Sequence, residues 1–149
     1  VALKEEVNSM AYKADCIFCK IVKGEIPCVK IYADEKALVF MDIAPLNKGH
    51  VLIVPKEHYE TILEMEPEIY GWLGSVVTKV AKAVQDTLNP DGINVMQLNG
   101  KAANQVVPHV HIHLVPRNYG DGLTISAWEP IPGIMDEIKS TSEAIKKNL

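Results

Sequence analysis

The sequence predicts one α+β domain: a five-stranded, mostly antiparallel sheet carrying one short and one long helix. Three observations predict it. Apolar runs of strand length are separated by Pro, Gly, Asn and Asp turns, and the stretch 66–88 repeats its apolar residues every three or four positions. Between Val107 and Arg117, histidines alternate with branched apolar residues. The 149 residues, 48% hydrophobic and 23% charged, suit one compact core, and no second domain is expected.

In chain order, residues 1–14 hold no sustained period and are expected to be an N-terminal extension outside the fold. In 16–22, Ile17, Phe18, Ile21 and Val22 fall at helical spacing, and Gly24 with Ile26-Pro27 ends this short helix. Residues 29–32 and 37–41 read as a hairpin around the turn 33–36. A loop punctuated by Pro45 and Gly49 then leads to a third strand over 50–55. The long helix follows, with Ile69, Trp72, Leu73, Val76, Val77, Val80, Val84 and Leu88 on one face, Pro67 in its first turn and Asn89-Pro90-Asp91-Gly92 as its stop. Residues 93–98 alternate as a fourth strand, the loop 99–108 comes next, and the histidine row is the fifth strand. The domain is expected over 15–122, with 123–149 a tail whose last part, 134–149, forms a polar helix.

The histidine row carries the chemistry. An alternation of period two puts His109, His111 and His113 on one face while Val110, Ile112 and Leu114 point into the core. At about 3.4 Å per residue, neighbouring rings sit roughly 7 Å apart, too far for all three to converge on one metal ion. A neutral imidazole near pH 7 accepts protons and attacks electrophiles, so such a row suits nucleophilic transfer at phosphorus. That chemistry depends on positioning and charge stabilisation, which gives weight to the loop before the row: Asn99 and Gln105 are amide donors, while Gly100, Ala102 and Ala103 let backbone approach an anion. Asp42, at a strand end, reads either as a turn-former or as an acceptor for two ribose hydroxyls.

Net charge and cysteine content bound the rest. A charge of −4 argues against a broad nucleic-acid or membrane surface while permitting a local anion site. No apolar run approaches the roughly 20 residues of a membrane span, and no secretory leader is read, so a cytoplasmic protein is expected. Of three cysteines, Cys28 reads as a small packed residue, whereas Cys16-x-x-Cys19 is half of a tetrahedral metal site, a redox dithiol or two ordinary helical cysteines. The surroundings do not match a thioredoxin-like βαβ unit.

The row Val107-Pro108-His109-Val110-His111-Ile112-His113-Leu114-Val115-Pro116-Arg117, the loop from Asn99 to Val107, the opening Cys16-Ile17-Phe18-Cys19-Lys20-Ile21 and the triplet Lys48-Gly49-His50 together resemble the histidine triad family of nucleotide hydrolases and transferases. The resemblance runs from about Asp15 to about Gly122 and points to the zinc-carrying branch, similar to Hint-type hydrolases. It implies that His111 attacks phosphorus to form a nucleotidyl-histidine intermediate, that His113 binds phosphate oxygens and assists proton movement, and that Asn99 and Gln105 hold the α-phosphate. It also implies that Asp42 binds ribose, and that Ile17, Phe18, Ile21, Phe40 and Leu52 wall a purine pocket of loose base selectivity. Cys16, Cys19, His50 and His109 would form a structural zinc site. Homodimers that extend the sheet are common in the family, and Trp128 would reach toward a neighbour's site.

The implied activity is cleavage of purine nucleoside 5′-phosphoramidates or related nucleotide conjugates to the mononucleotide. Diadenosine polyphosphate cleavage and non-catalytic nucleotide binding in a regulatory role are the alternatives. Two residues depart from the family pattern: Asn104 replaces a usual glycine, and Val106 replaces a serine that several members aim at the leaving group. Protonation of the leaving group then falls to His113 or solvent.

Overall fold

A computed structural model describes residues 12–124 and 130–149. The tail residue Trp128 and residues 1–11 of the N-terminal extension lie outside the described residues. The elements are α1 (Ile17–Val22), β1 (Lys30–Ala33), β2 (Ala37–Met41), β3 (Val51–Pro55), α2 (Pro67–Leu88), β4 (Gly92–Gln97), β5 (Ile112–Arg117) and α3 (Met135–Lys146). The strands form one sheet in the order β1-β2-β3-β5-β4, with every neighbouring pair antiparallel. This is the expected α+β architecture. Two short 3-10 turns, Ile62–Glu64 and Lys101–Ala103, were not expected, since three residues carry no readable period.

Local chemistry accounts for the element ends. Cys16 caps α1, its Sγ accepting the Cys19 amide at 3.4 Å. Pro67 occupies the first turn of α2, where its missing N–H costs nothing, and Asn89 ends that helix in the left-handed conformation. In the β1–β2 turn, Asp34 accepts the amides of Lys36 and Ala37, each at 2.8 Å, and also takes the Trp72 indole N–H at 3.1 Å, which pins the hairpin to α2. Gly49 has φ +88°, a backbone conformation that side chains with a Cβ rarely adopt, and a Cβ there would also displace Leu88 Cδ1, so the loop before β3 favours glycine.

Alternation divides the sheet between two layers. Val39, Val51, Ile53, Val110, Ile112 and Leu114 face α2, where Leu73, Val76, Val80 and Val84 cover them. Leu38, Phe40, Leu52 and Val54 face the other way, against Phe18, Cys16 and Cys19 of the α1 region. The histidine row keeps its period of two but not its strand. Pairing starts at Ile112, so only His113 lies within the ladder, opposite Leu52 and Met96. Upstream, the Val110 amide bonds the Tyr59 carbonyl at 2.7 Å and the His109 amide turns back to Val107, so both leave the sheet hydrogen-bonding pattern.

Candidate functional site

The α1 side of the sheet gathers the histidines into a line in which Phe18 bridges His109 and His111. His58 and His109 ring centroids are 5.0 Å apart, His111 and His113 are 4.8 Å apart, and His50 and His113 are 5.2 Å apart. Phe18 lies edge-on to both His109 and His111, at 5.8 and 5.1 Å, and meets Phe40 at 5.7 Å. The apolar ring of an α1 residue therefore braces two of the three row histidines.

At one end of the line, Cys16, Cys19, His58 and His109 bring one donor atom each to within 4.8 Å of one another. The Cys16 Sγ to His109 Nδ1 distance is 3.3 Å, Cys19 Sγ to His58 Nδ1 is 3.3 Å, Cys19 Sγ to His109 Nδ1 is 3.5 Å, and the two Nδ1 atoms are 3.2 Å apart. Around a tetrahedral zinc, with bonds of about 2.3 Å to sulfur and about 2.0 Å to nitrogen, donors sit roughly 3.3 to 3.8 Å apart. The donor set and spacing fit zinc. Burial pushes the Cys19 thiol up to about 11, so a thiolate here needs a cation beside it. His109 Nε2–H donates to the Pro55 carbonyl at 2.9 Å, which fixes the tautomer that turns the Nδ1 lone pair toward the thiols.

This cluster corrects one expected ligand: His58, not His50, stands with Cys16, Cys19 and His109. The reason is register. β3 and β5 run antiparallel with Val51 opposite Leu114 and Ile53 opposite Ile112, so His50 falls at the far end of β3 from His109. Six residues of strand separate the two levels, roughly 20 Å. His58 lies just past Pro55, at the end that meets His109.

His50 belongs instead with Asp42 and His113. Its Nε2 is 3.0 Å from His113 Nδ1 and 3.6 Å from Asp42 Oδ2, while its Nδ1 accepts the Leu46 amide at 3.0 Å. Asp42 also acts as the turn-former, its Oδ1 accepting the Ala44 amide at 2.8 Å. Between the two clusters sits His111, 6% exposed, whose Nδ1–H donates to the His109 carbonyl at 2.6 Å. That bond leaves the Nε2 lone pair as the reactive one. Burial lowers the affinity of His50, His111 and His113 for a proton, His113 to about 4, so all three rings are neutral near pH 7.

The remaining expected site residues are placed unevenly. Phe18, Phe40 and Leu52 are buried together beside the row, and Ile21 packs on their cluster. Ile17 is 47% exposed and lines a small cleft with His58, Val106 and Val107 instead. Asn99 and Gln105 shape the loop: Asn99 Oδ1 accepts the Ile62 amide at 3.0 Å, and Gln105 joins the Gly100 amide to the Glu60 carbonyl, both at 2.7 Å. Asn104 has φ +68°, which explains an asparagine where glycine is usual, because asparagine tolerates the left-handed region. Val106 is 88% exposed.

An open antiparallel sheet whose end presents neutral imidazoles, one with its distal nitrogen free, defines a protein built for nucleophilic chemistry at an anionic centre. The HIT domain model matches residues 23–120, and the chain belongs to that family. It is 43% identical over 137 residues to the adenosine 5′-monophosphoramidase hnt1 of Schizosaccharomyces pombe, covering 90% of this chain and 98% of that one. Its fold matches the crystal structure of a HIT family protein from Bacillus anthracis with a TM-score of 0.86 at 39% identity, over 91% of this chain and 98% of that one. It also matches a Zn-bound histidine triad family protein from Mycobacterium smegmatis, with a TM-score of 0.71 at 33% identity over 91% and 98% of the respective chains.

Proposed function

We propose that this chain hydrolyses purine nucleoside 5′-phosphoramidates and related nucleotide conjugates to the mononucleotide. The observation that carries the reading is the 2.6 Å bond from His111 Nδ1–H to the His109 carbonyl, which leaves Nε2 as the nucleophile. The Nε2 lone pair forms a bond to phosphorus as the P–N bond to the leaving amine breaks. The departing nitrogen takes the bonding pair and a proton from solvent, and water then displaces His111 from the nucleotidyl-histidine. The similarity to a relative named as a monophosphoramidase, over nearly all of both chains, supports the substrate class.

Asp42 is assigned to the ribose, and Phe18, Ile21, Phe40 and Leu52 to the base. The second amide hydrogens of Asn99 and Gln105 are assigned to the α-phosphate. Zinc in the Cys16, Cys19, His58 and His109 set has a structural role, because four protein donors leave no open position for substrate. Reduced thiols of this kind suit a cytoplasmic location. β4 is an open sheet edge, and pairing of two such edges would give the homodimer.

The test is a rapid quench with an adenosine phosphoramidate, followed by mass spectrometry. A nucleotidyl adduct on the peptide carrying His111 is expected. Turnover without an adduct at any histidine rejects the mechanism, and tight mononucleotide binding without turnover favours the regulatory reading.

A further inference from the structure

His50, the expected ligand that stands apart from the Cys16, Cys19, His58 and His109 cluster, has its own hydrogen-bond chain. The Leu46 backbone N–H meets His50 Nδ1 at 3.0 Å, and His50 Nε2 meets His113 Nδ1 at 3.0 Å. An amide nitrogen can only donate, so His50 Nδ1 must be the unprotonated nitrogen of its ring. The neutral ring then carries its proton on Nε2. Two acceptors face that proton: His113 Nδ1 at 3.0 Å and the Asp42 carboxylate at 3.6 Å, the latter beyond hydrogen-bond length. With His113 Nδ1 taken as acceptor, the proton of neutral His113 must sit on Nε2, the nitrogen away from His50.

We infer that His50 is a positioning residue that holds His113 in the Nε2–H tautomer, so that His113 presents a hydrogen-bond donor to the bound nucleotide beside His111. The inference rests on the proposed function for its catalytic consequence but not for the tautomer itself. Burial keeps both rings neutral, in line with such a chain. The direction of the chain also limits what His113 can do. Its first donor is a backbone amide, which has no proton to give up, so transfer of the Nε2 proton outright would leave an imidazolate. His113 therefore lends a hydrogen bond to a phosphoryl oxygen and keeps its proton, which amends the sequence-based expectation that it assists proton movement.

The test is a long-range proton–nitrogen correlation spectrum of ¹⁵N-histidine-labelled, zinc-loaded protein near pH 7, with His113 assigned by the signals lost in His113→Gln. Wild type is expected to show His113 with an unprotonated Nδ1 and a protonated Nε2, and His50 likewise. In His50→Ala the His113 pattern shifts toward mixed tautomers, and kcat for an adenosine phosphoramidate falls a few-fold, in proportion to the Nε2–H form that is lost. His50→Gln can accept from Leu46 and donate to His113, so it is expected to restore both the tautomer and most of the rate. A wild-type His113 protonated on Nδ1 overturns the inference even if no variant folds. An unaltered His113 pattern or an unaltered kcat in His50→Ala also overturns it. If His111→Ala stays active while the His113 pattern is as expected, the proposed function fails and the tautomer assignment stands.

Discussion

His109 faces two ways at once: its backbone carbonyl receives the Nδ1 proton of His111 at 2.6 Å, while its own Nδ1 lies 3.3 Å from Cys16 Sγ. The residue that aims the proposed nucleophile is thus also a corner of the Cys16, Cys19, His58 and His109 cluster. Replacing His111 with alanine removes the proposed attacking atom and leaves this corner in place. The variant is expected to keep its Tm within a few degrees and to lose kcat by at least about 10³-fold, as removal of a nucleophile does elsewhere. Single-turnover kinetics with circular dichroism on the same sample checks it.

The placement of His58 leads to a metal-binding prediction that separates it from His50. Wild-type protein is expected to carry one zinc per chain by elemental analysis. His58→Ala and Cys19→Ser should lose most of it, while His50→Ala should retain it. Because the cluster ties α1 to the end of β3 and to His109, metal loss should lower Tm by roughly 10 °C, the size expected when a chain of this length gives up several kcal/mol. Retained zinc in His58→Ala would return the fourth ligand to another residue.

Much of this site is legible in the sequence, and the part that is not has a physical cause. Period-two alternation placed Val110, Ile112 and Leu114 in the core and the three histidines opposite, and all six are found so. The long helix was legible because 22 residues of a 3.6-residue repeat leave little ambiguity. His58 was missed because it sits on no periodic element, so only strand register could place it. Antiparallel pairing of β3 with β5 puts His50 and His109 at opposite ends, and the choice of partner strand is not written in the pattern of either strand alone. The roles of Asn99 and Gln105 within the loop depend on Ile62 and Glu60, distant in sequence, which no local pattern announces.

Asn104 offers a test of backbone conformation free of packing. Its side chain is exposed, and its φ of +68° is costly for any residue with a branched or plain Cβ. Asn104→Gly is expected to be neutral within about 0.5 kcal/mol, and Asn104→Ala to destabilise by about 1 kcal/mol, measured as urea midpoints at unchanged slope. Equal midpoints for the two variants would mean that the loop relaxes out of the left-handed region.

The acid limb of stability should report the loop that follows β5. Arg117 holds the Asp121 carboxyl well below the usual carboxylate range, helped by the amides of Leu123 and Asn118 and by the Asn47 side chain. A carboxyl depressed in the folded protein binds fewer protons there than in the unfolded chain, so its contribution is complete above the unfolded value near pH 4. It is lost progressively as the pH falls below that value. Asp121→Asn removes the charge at every pH, and is therefore expected to lower Tm at pH 7 but to narrow its gap from wild type as the pH is taken from about 4 toward 2. A gap that stays constant across that window would show that Asp121 titrates alike in the folded and unfolded chain.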